Sequence, residues 1–378
     1  MDVPFAKPTL RGDEGQAVAD VIASGWVSQG PKVQAFEEAF AERVGAAAAV
    51  AVSNCTTALS LALHVAGVGP GDEVIVPSLS FIATANAVWA CGATPVFADI
   101  DPMTYNLDPA AAERAITPAT RAIMPVHQVG LPADMDAFLD IADRHGLQLV
   151  EDAACAIGAR YKGRPIGSLG PSTCFSLHPR KVITTGEGGM ITTQDVETAE
   201  RMRRLRQHGM DLSDLARHNA GGVVFEGYPE RGFNYRMTDM QAALGLCQLD
   251  ALGGILASRD RLAARYDAAF AAVPYLATPY TPEYAHRTWQ SYCLRVLPGA
   301  PAGRTELMEL LLAEGVPTRR GVMAIHHEGA YPGVGADLRH TDAAAADVLM
   351  LPLFAHLTDE EQDHVIDRVL VHTAALAA

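Results

Sequence analysis

The sequence predicts an α/β protein in which a large domain, built on a mostly parallel sheet with helices on both faces, is followed by a smaller α/β domain. Three observations carry this prediction. Short apolar runs alternate with helical stretches from residue 47 onward, the pattern of strands joined by crossover helices. A chain of 378 residues is too long for one ordinary core. Its composition, 49% hydrophobic and 19% charged with no low-complexity tract, allows a sizeable core to be buried.

The alternation runs in order. AAVAV leads into TTALSLALHVAG, and EVIVP into FIATANAVWACG; TPVFAD and RAIMPV precede a helical DMDAFLDIADRHG; LQLVEDA and TCFSL follow. Next comes the charged helix DVETAERMRRLRQHG, read as a solvated or subunit-facing helix, and then a long Gly- and Pro-containing loop over 210–232. Thr238 and Gln241 have capping-box spacing and announce a buried helix, TDMQAALGLCQLDAL. A second long helix, GGILASRDRLAARYDAAFAAV, leaves the first domain; QSYCLRVLP alternates as a strand, and GRTELMELLLAEG and TDEEQDHVIDRVL are helical. The expected domains are 1–250 and 251–378.

A formal charge of −15 disfavours nucleic acid and anionic membranes as partners. No segment reads as a bilayer crossing or a signal peptide, so the cytoplasm is the expected compartment. Six scattered cysteines and thirteen histidines show no metal-ligand spacing, and no metal is expected.

The stretch FSLHPRKVITTGEGG places Lys181 on a bend between two strands. A lysine there is either a solvated surface group or an amine held in a cleft, its pKa lowered by desolvation, ready to form a Schiff base with a carbonyl. Four other features lie at strand ends, where ligands bind in such sheets. VSNCTTALSL passes from strand to helix start, either a phosphate seat or an ordinary capped helix. Asp152 in LVEDAACAIGA is either a partner for a protonated ring nitrogen or another cap. Phe81 is either a ring-stacking face or plain core. Asn234 and Arg236 in GFNYRMTD serve an anion or form a turn. Phosphate seat, aromatic, acid and lysine together match pyridoxal phosphate.

EDAACAIGARYKGRPIGSLG, FSLHPRKVITTGEGGMITT and GFNYRMTDMQAALGLCQL resemble segments of the DegT-like sugar aminotransferases, a branch of the fold-type I pyridoxal-phosphate enzymes with an aspartate aminotransferase-like fold. The resemblance extends from GWVSQGPKVQAFEEAFAE to LPLFAHLTDEEQDHVI. It implies that Lys181 is the Schiff-base lysine, Asp152 faces the pyridine nitrogen and Phe81 stacks on the ring. Thr56, Thr57 and Ser176 contact the phosphate, and Asn234 reaches the phosphate of a neighbouring subunit in a homodimer. Cys155 stands near the ring hydroxyl where the family usually has Gln, His or Glu, and Cys55 stands where Gly is frequent.

By the same resemblance, glutamate donates the amino group to a nucleotide-linked keto-sugar. His178, Arg319 and His326 are candidate substrate contacts, each with an ordinary structural alternative. Arg320 and Gly321 follow Arg319 where the family usually has proline, which keeps a cyclitol ketone or other small keto-metabolite open as the acceptor. A dehydratase tends to replace the lysine with histidine, and a cofactor-binding regulator without turnover is the remaining alternative.

Overall fold

The computed structural model describes residues 1–212, 217, 222–332 and 336–373. Seven strands make the central sheet, in the order Thr94–Ala98, Glu73–Pro77, Thr120–Ile123, 148–152, Thr173–Ser176, Gly189–Thr193 and Ala48–Val52. The fourth strand joins two halves: Gln148 and Leu149 pair with Ala122 and Ile123, and Glu151 and Asp152 pair with Thr173 and Cys174. Only Gly189–Thr193 runs antiparallel to its neighbours. It returns from Thr173–Ser176 through a loop, whereas the parallel neighbours need crossover helices such as Ala83–Ala90 and Met135–His145.

Both faces of the sheet are covered, as the unbroken apolar strands require. Ala49, Ala51 and Ile75 pack into one core, while Val50, Val52, Val74 and Val76, one residue out of phase, pack into the other. Because six strands are parallel, their carboxyl ends open on one edge. Ser53, Ser78, Ala153 and Leu177 all start from that edge.

A second sheet of four antiparallel strands, ordered Leu276–Ala277, Tyr292–Val296, Val348–Leu351 and Arg319–Arg320, lies in the C-terminal part with helices Arg304–Ala313 and Asp359–Thr373. Its core includes Leu294, Leu307, Leu349 and Val365.

Three expectations need correction. The two helices expected to meet at 252/253 are one, Asp239–Phe270. It starts at the foreseen capping box, in which Thr238 Oγ1 accepts from the N–H of Gln241 (3.2 Å) and Gln241 Oε1 from that of Thr238 (2.9 Å). Leu249, Leu252 and Ile255 lie in the first core, whereas Leu262, Tyr266 and Phe270 lie in the C-terminal one, so the 250/251 boundary falls inside a continuous helix. By length and composition this helix is also apolar enough to cross a bilayer, which no segment was expected to be. Its polar residues point to a protein interior instead: Gln248 Nε2 donates to Thr9 O (2.6 Å) and Glu14 Oε1 (2.9 Å), and Arg259 donates to Trp289 O (3.0 Å).

The third concerns the arginine-rich helix, Val196–Leu205, which was expected to be solvated or to face a subunit. Arg206 and Arg203 turn inward to the buried carboxylate of Glu37, which also accepts the Ala51 N–H (2.9 Å); Arg201 pairs with Glu230. The helix is thereby tied to the first strand. Of the loop expected over 210–232, residues 213–216 and 218–221 lie outside the described residues, and 222–229 carries no helix or strand.

Candidate active site

The common edge of the parallel strands gathers the chemistry. Lys181 sits in the loop between Thr173–Ser176 and Gly189–Thr193, and its Nζ donates to Cys155 Sγ at 3.1 Å. Asp152, only 4% exposed, ends the neighbouring strand. Its Oδ1 accepts the N–H of Ala154 (3.1 Å) and its Oδ2 the hydroxyl of Thr84 (2.9 Å).

Burial raises the Asp152 pKa; the Ala154 N–H, the Thr84 hydroxyl, Lys181 and His127 oppose the rise without cancelling it. Burial pulls Lys181 down, but Cys155, Cys55 and Asp152 outweigh it, and the amine stands above its ordinary value rather than below it as expected. Burial also holds the Cys55 thiol protonated to well above neutrality. Of the groups that oppose burial, Cys155, whose sulfur lies 3.1 Å from the amine, acts most strongly, ahead of Cys55 and Asp152.

Helix Cys55–Val65 points its N-terminus into this group. Thr57 is already committed to a capping box: its N–H binds Asn54 Oδ1 (2.9 Å) and its hydroxyl donates to Asn54 O (2.8 Å). The helix-start N–H groups and the Thr56 hydroxyl are left for a ligand. Here Gly189 has a physical reason, because a Cβ would run into Asn54 O and the Cys55 N–H. Ser176, nearly buried, closes the adjacent strand end, and its hydroxyl lies 3.4 Å from the His178 N–H.

Phe81 is 59% exposed, its face open to a flat partner rather than packed in the core. Asn234 is exposed, while its neighbour Tyr235 accepts the Ser53 N–H at 2.8 Å, which brings this loop back to the helix start. His178 is half-buried beside the lysine loop, and burial lowers its pKa against the pull of Glu187. Arg319 stands apart, exposed with its guanidinium over Phe5 at 5.4 Å. His326 lies on the segment that pairs with Ser78–Ser80, its Nδ1 2.7 Å from Ser78 Oγ.

A buried acid, an amine beside it, an exposed aromatic and a helix start cleared by glycine form a set for a phosphorylated, ring-nitrogen cofactor with a carbonyl. Residues 8–370 match the model of the DegT/DnrJ/EryC1/StrS aminotransferase family. The chain belongs to this family.

This aminotransferase is 44% identical over 375 residues to the GDP-perosamine synthase of Caulobacter vibrioides, covering 98% of each chain. Among solved structures it resembles the aminotransferase TlmJ from Streptoalloteichus hindustanus, with 36% identity, all of both chains covered and a TM-score of 0.91. It also resembles the putative sugar aminotransferase Spr1654 from Streptococcus pneumoniae in its PLP-form, with 29% identity, 99% of each chain covered and a TM-score of 0.92. It is a pyridoxal-phosphate-dependent sugar aminotransferase of fold type I.

Sequence reasoning missed five supporting residues of the aminotransferase. Thr84 donates to Asp152, and Ser80 Oγ lies 2.7 Å from Thr84 Oγ1; the Ser-x-x-x-Thr spacing at a helix start was the available signal. His127 and Glu151 form a fully buried pair behind Asp152. Gln290 Nε2 donates to Arg180 O (3.0 Å), the carbonyl just before Lys181, and no local pattern marks it.

Proposed function

We propose that this aminotransferase takes its amino group from glutamate and delivers it to a nucleotide-linked keto-sugar. The observation that carries the acceptor class is the 44% identity to GDP-perosamine synthase over nearly all of both chains. We read the chain as two domains, 1–250 and 251–378, and the working form as a cytoplasmic homodimer. In it the exposed Asn234 extends to the phosphate held by the other subunit.

Pyridoxal phosphate, when bound, supplies an aldehyde that captures amines and a ring that takes up an electron pair. The chain's residues do the rest. Asp152 holds the ring-nitrogen proton, stabilised by Thr84 and the Ala154 N–H. With the cofactor bound, Lys181 Nζ would be the amine that holds its aldehyde and, once freed by the donor, would be the base that moves the donor's α-proton. The free N–H groups at the start of Cys55–Val65, with Thr56 and Ser176, bind the phosphate, while Thr57, its N–H held by Asn54, closes the capping box that shapes the seat. Phe81 covers the ring. His178 and Arg319 are kept as substrate contacts, whereas both ring nitrogens of His326 are already engaged, by Ser78 Oγ and Asp342 Oδ1; Cys155 orients the lysine amine.

The test offers the amine form of the enzyme a panel of nucleotide keto-sugars and cyclitol ketones while the absorbance of the aldehyde form is followed. Recovery with nucleotide keto-sugars supports the reading. Recovery with non-nucleotide ketones alone replaces the acceptor class, and no conversion of the cofactor by glutamate indicates a different donor or a regulator without turnover. Lys181→Ala is expected to abolish turnover and to lose the borohydride-reducible link to the cofactor; a reducible link mapped to another amine overturns the lysine's role.

A further inference from the structure

The sequence contains no spaced metal motif, yet the fold assembles a set of metal donors outside the lysine cluster. Nε2 of His326 and Nε2 of His327 converge on a single oxygen, Asp342 Oδ1, at 3.0 and 2.9 Å. All three donor atoms lie within 4.8 Å of one another. We propose that His326, His327 and Asp342 form a binding site for a borderline transition-metal ion of the Zn2+ class.

Three features carry the proposal. An ion with bonds of about 2.0–2.1 Å places its neighbouring ligands about 2.8 to 3.4 Å apart, and both His–Asp separations, 3.0 and 2.9 Å, fall in the shorter part of that range. Two imidazoles and one carboxylate select zinc, copper or nickel over the oxygen-loving Mg2+ and Ca2+, and three protein ligands leave positions for water.

The donors are also held by their surroundings. Ser78 Oγ, 2.7 Å from His326 Nδ1, accepts the proton that must sit on Nδ1 when Nε2 binds a metal. His326 itself is fixed because the Ile325 N–H binds Ser78 O (2.8 Å). Asp342 lies in the first turn of helix Arg339–Asp347, whose start is clamped by Asp99: its carboxylate accepts the N–H groups of His340 (2.9 Å) and Thr341 (2.8 Å) and the Thr341 hydroxyl (2.8 Å). His327 and Asp342 are exposed, so the ion enters from solvent. The site stands at the base of the Ser78–Ser80 segment that leads into Phe81, and an ion there adds positive charge beside the open end of the sheet.

The probe is zinc chloride alone, applied to the cofactor-loaded protein after chelator treatment and without amino acid. After dialysis at micromolar zinc, one Zn2+ per chain is expected to remain. His327→Ala and Asp342→Asn are each expected to weaken zinc binding at least about tenfold, the scale set by outer-shell ligand mutations. His145→Ala, at the unrelated surface pair with Glu113, leaves it unchanged. Zinc-edge absorption on the parent protein is expected to read two imidazole nitrogens plus oxygens, and it tests the site independently of how the variants fold. No zinc retained by the parent, equal zinc retained by both variants, or an edge spectrum without imidazole overturns the proposal.

Discussion

The buried pair behind Asp152 gives the sharpest test of how this site is built. His127 and Glu151 are both fully buried. His127 Nδ1 accepts the N–H of Ala133 at 3.0 Å, so the ring proton sits on Nε2, which donates to Glu151 Oε2 at 3.0 Å. Glu151 Oε1 accepts the Gly170 N–H (2.9 Å) and the Thr173 hydroxyl (2.7 Å). Three donors therefore converge on one carboxylate. Glu151→Gln keeps the shape but supplies one oxygen instead of two; with that oxygen on Gly170 and Thr173, the amide N–H faces the N–H of His127.

The ring cannot switch tautomer to relieve this, because Ala133 already occupies the other nitrogen. Losing one charge-assisted bond and leaving two donors opposed costs about 2–4 kcal/mol, and Glu151→Ala, with three orphaned donors and a cavity, costs more than about 4. Guanidinium unfolding followed by circular dichroism, comparing both variants with the parent, measures these differences. If Glu151→Gln unfolds within about 0.5 kcal/mol of the parent, as an ordinary surface change does, the tautomer argument is wrong.

Asp152→Asn is expected to slow the proton-abstraction step sharply while leaving the melting temperature near that of the parent, because burial already burdens the charged form; single-turnover rates close to the parent show that another group faces the ring nitrogen. Glu14 is buried, and although burial pushes its pKa up, the N–H groups of Arg11 and Gly12 and the Gln248 amide bring it down to about 2. Its stabilisation is therefore complete above the unfolded value of 4.5 and is lost as pH falls towards about 2. Glu14→Gln is expected to cost about 2–3 kcal/mol at neutral pH and to flatten acid unfolding across that window, and an unchanged acid profile contradicts this. Arg287 is 5% exposed, stacks on Trp289 at 4.5 Å, and finds no hydrogen-bond acceptor for Nε or one terminal nitrogen; burial lowers its pKa to about 10. Arg287→Met is expected to leave the melting temperature unchanged or raise it, and a fall of several degrees shows that the charge has a stabilising partner.

Much of the sheet was legible because each strand announces itself locally. AAVAV and EVIVP are β-branched or small apolar runs bounded by polar turns, and their parallel direction follows from the helix between them; GMITT is marked the same way but returns antiparallel through the lysine loop. Lys181 and Asp152 were visible for the same reason, being polar residues at strand ends. What stayed hidden depends on distant partners. Thr84 meets Asp152 across 68 positions, and Arg206 meets Glu37 across 169, so nothing local tells an inward arginine from a solvated one. At the junction where two helices were expected to meet, Gly253 and Gly254 each cost the helix about 1 kcal/mol, but Leu249, Leu252, Ile255 and Leu262 pack on both sides and outweigh that cost.

That uninterrupted rod from Asp239 to Phe270 also limits how the molecule can be dissected. Many two-part enzymes can be cut in a linker and their halves produced separately. Here a cut at 250/251 would strip the sheet-side piece of Leu252 and Ile255 and leave the other piece with an unsheathed amphipathic stub. Each fragment would then expose apolar surface along the seam where the rod was severed, so separately produced halves are expected to aggregate.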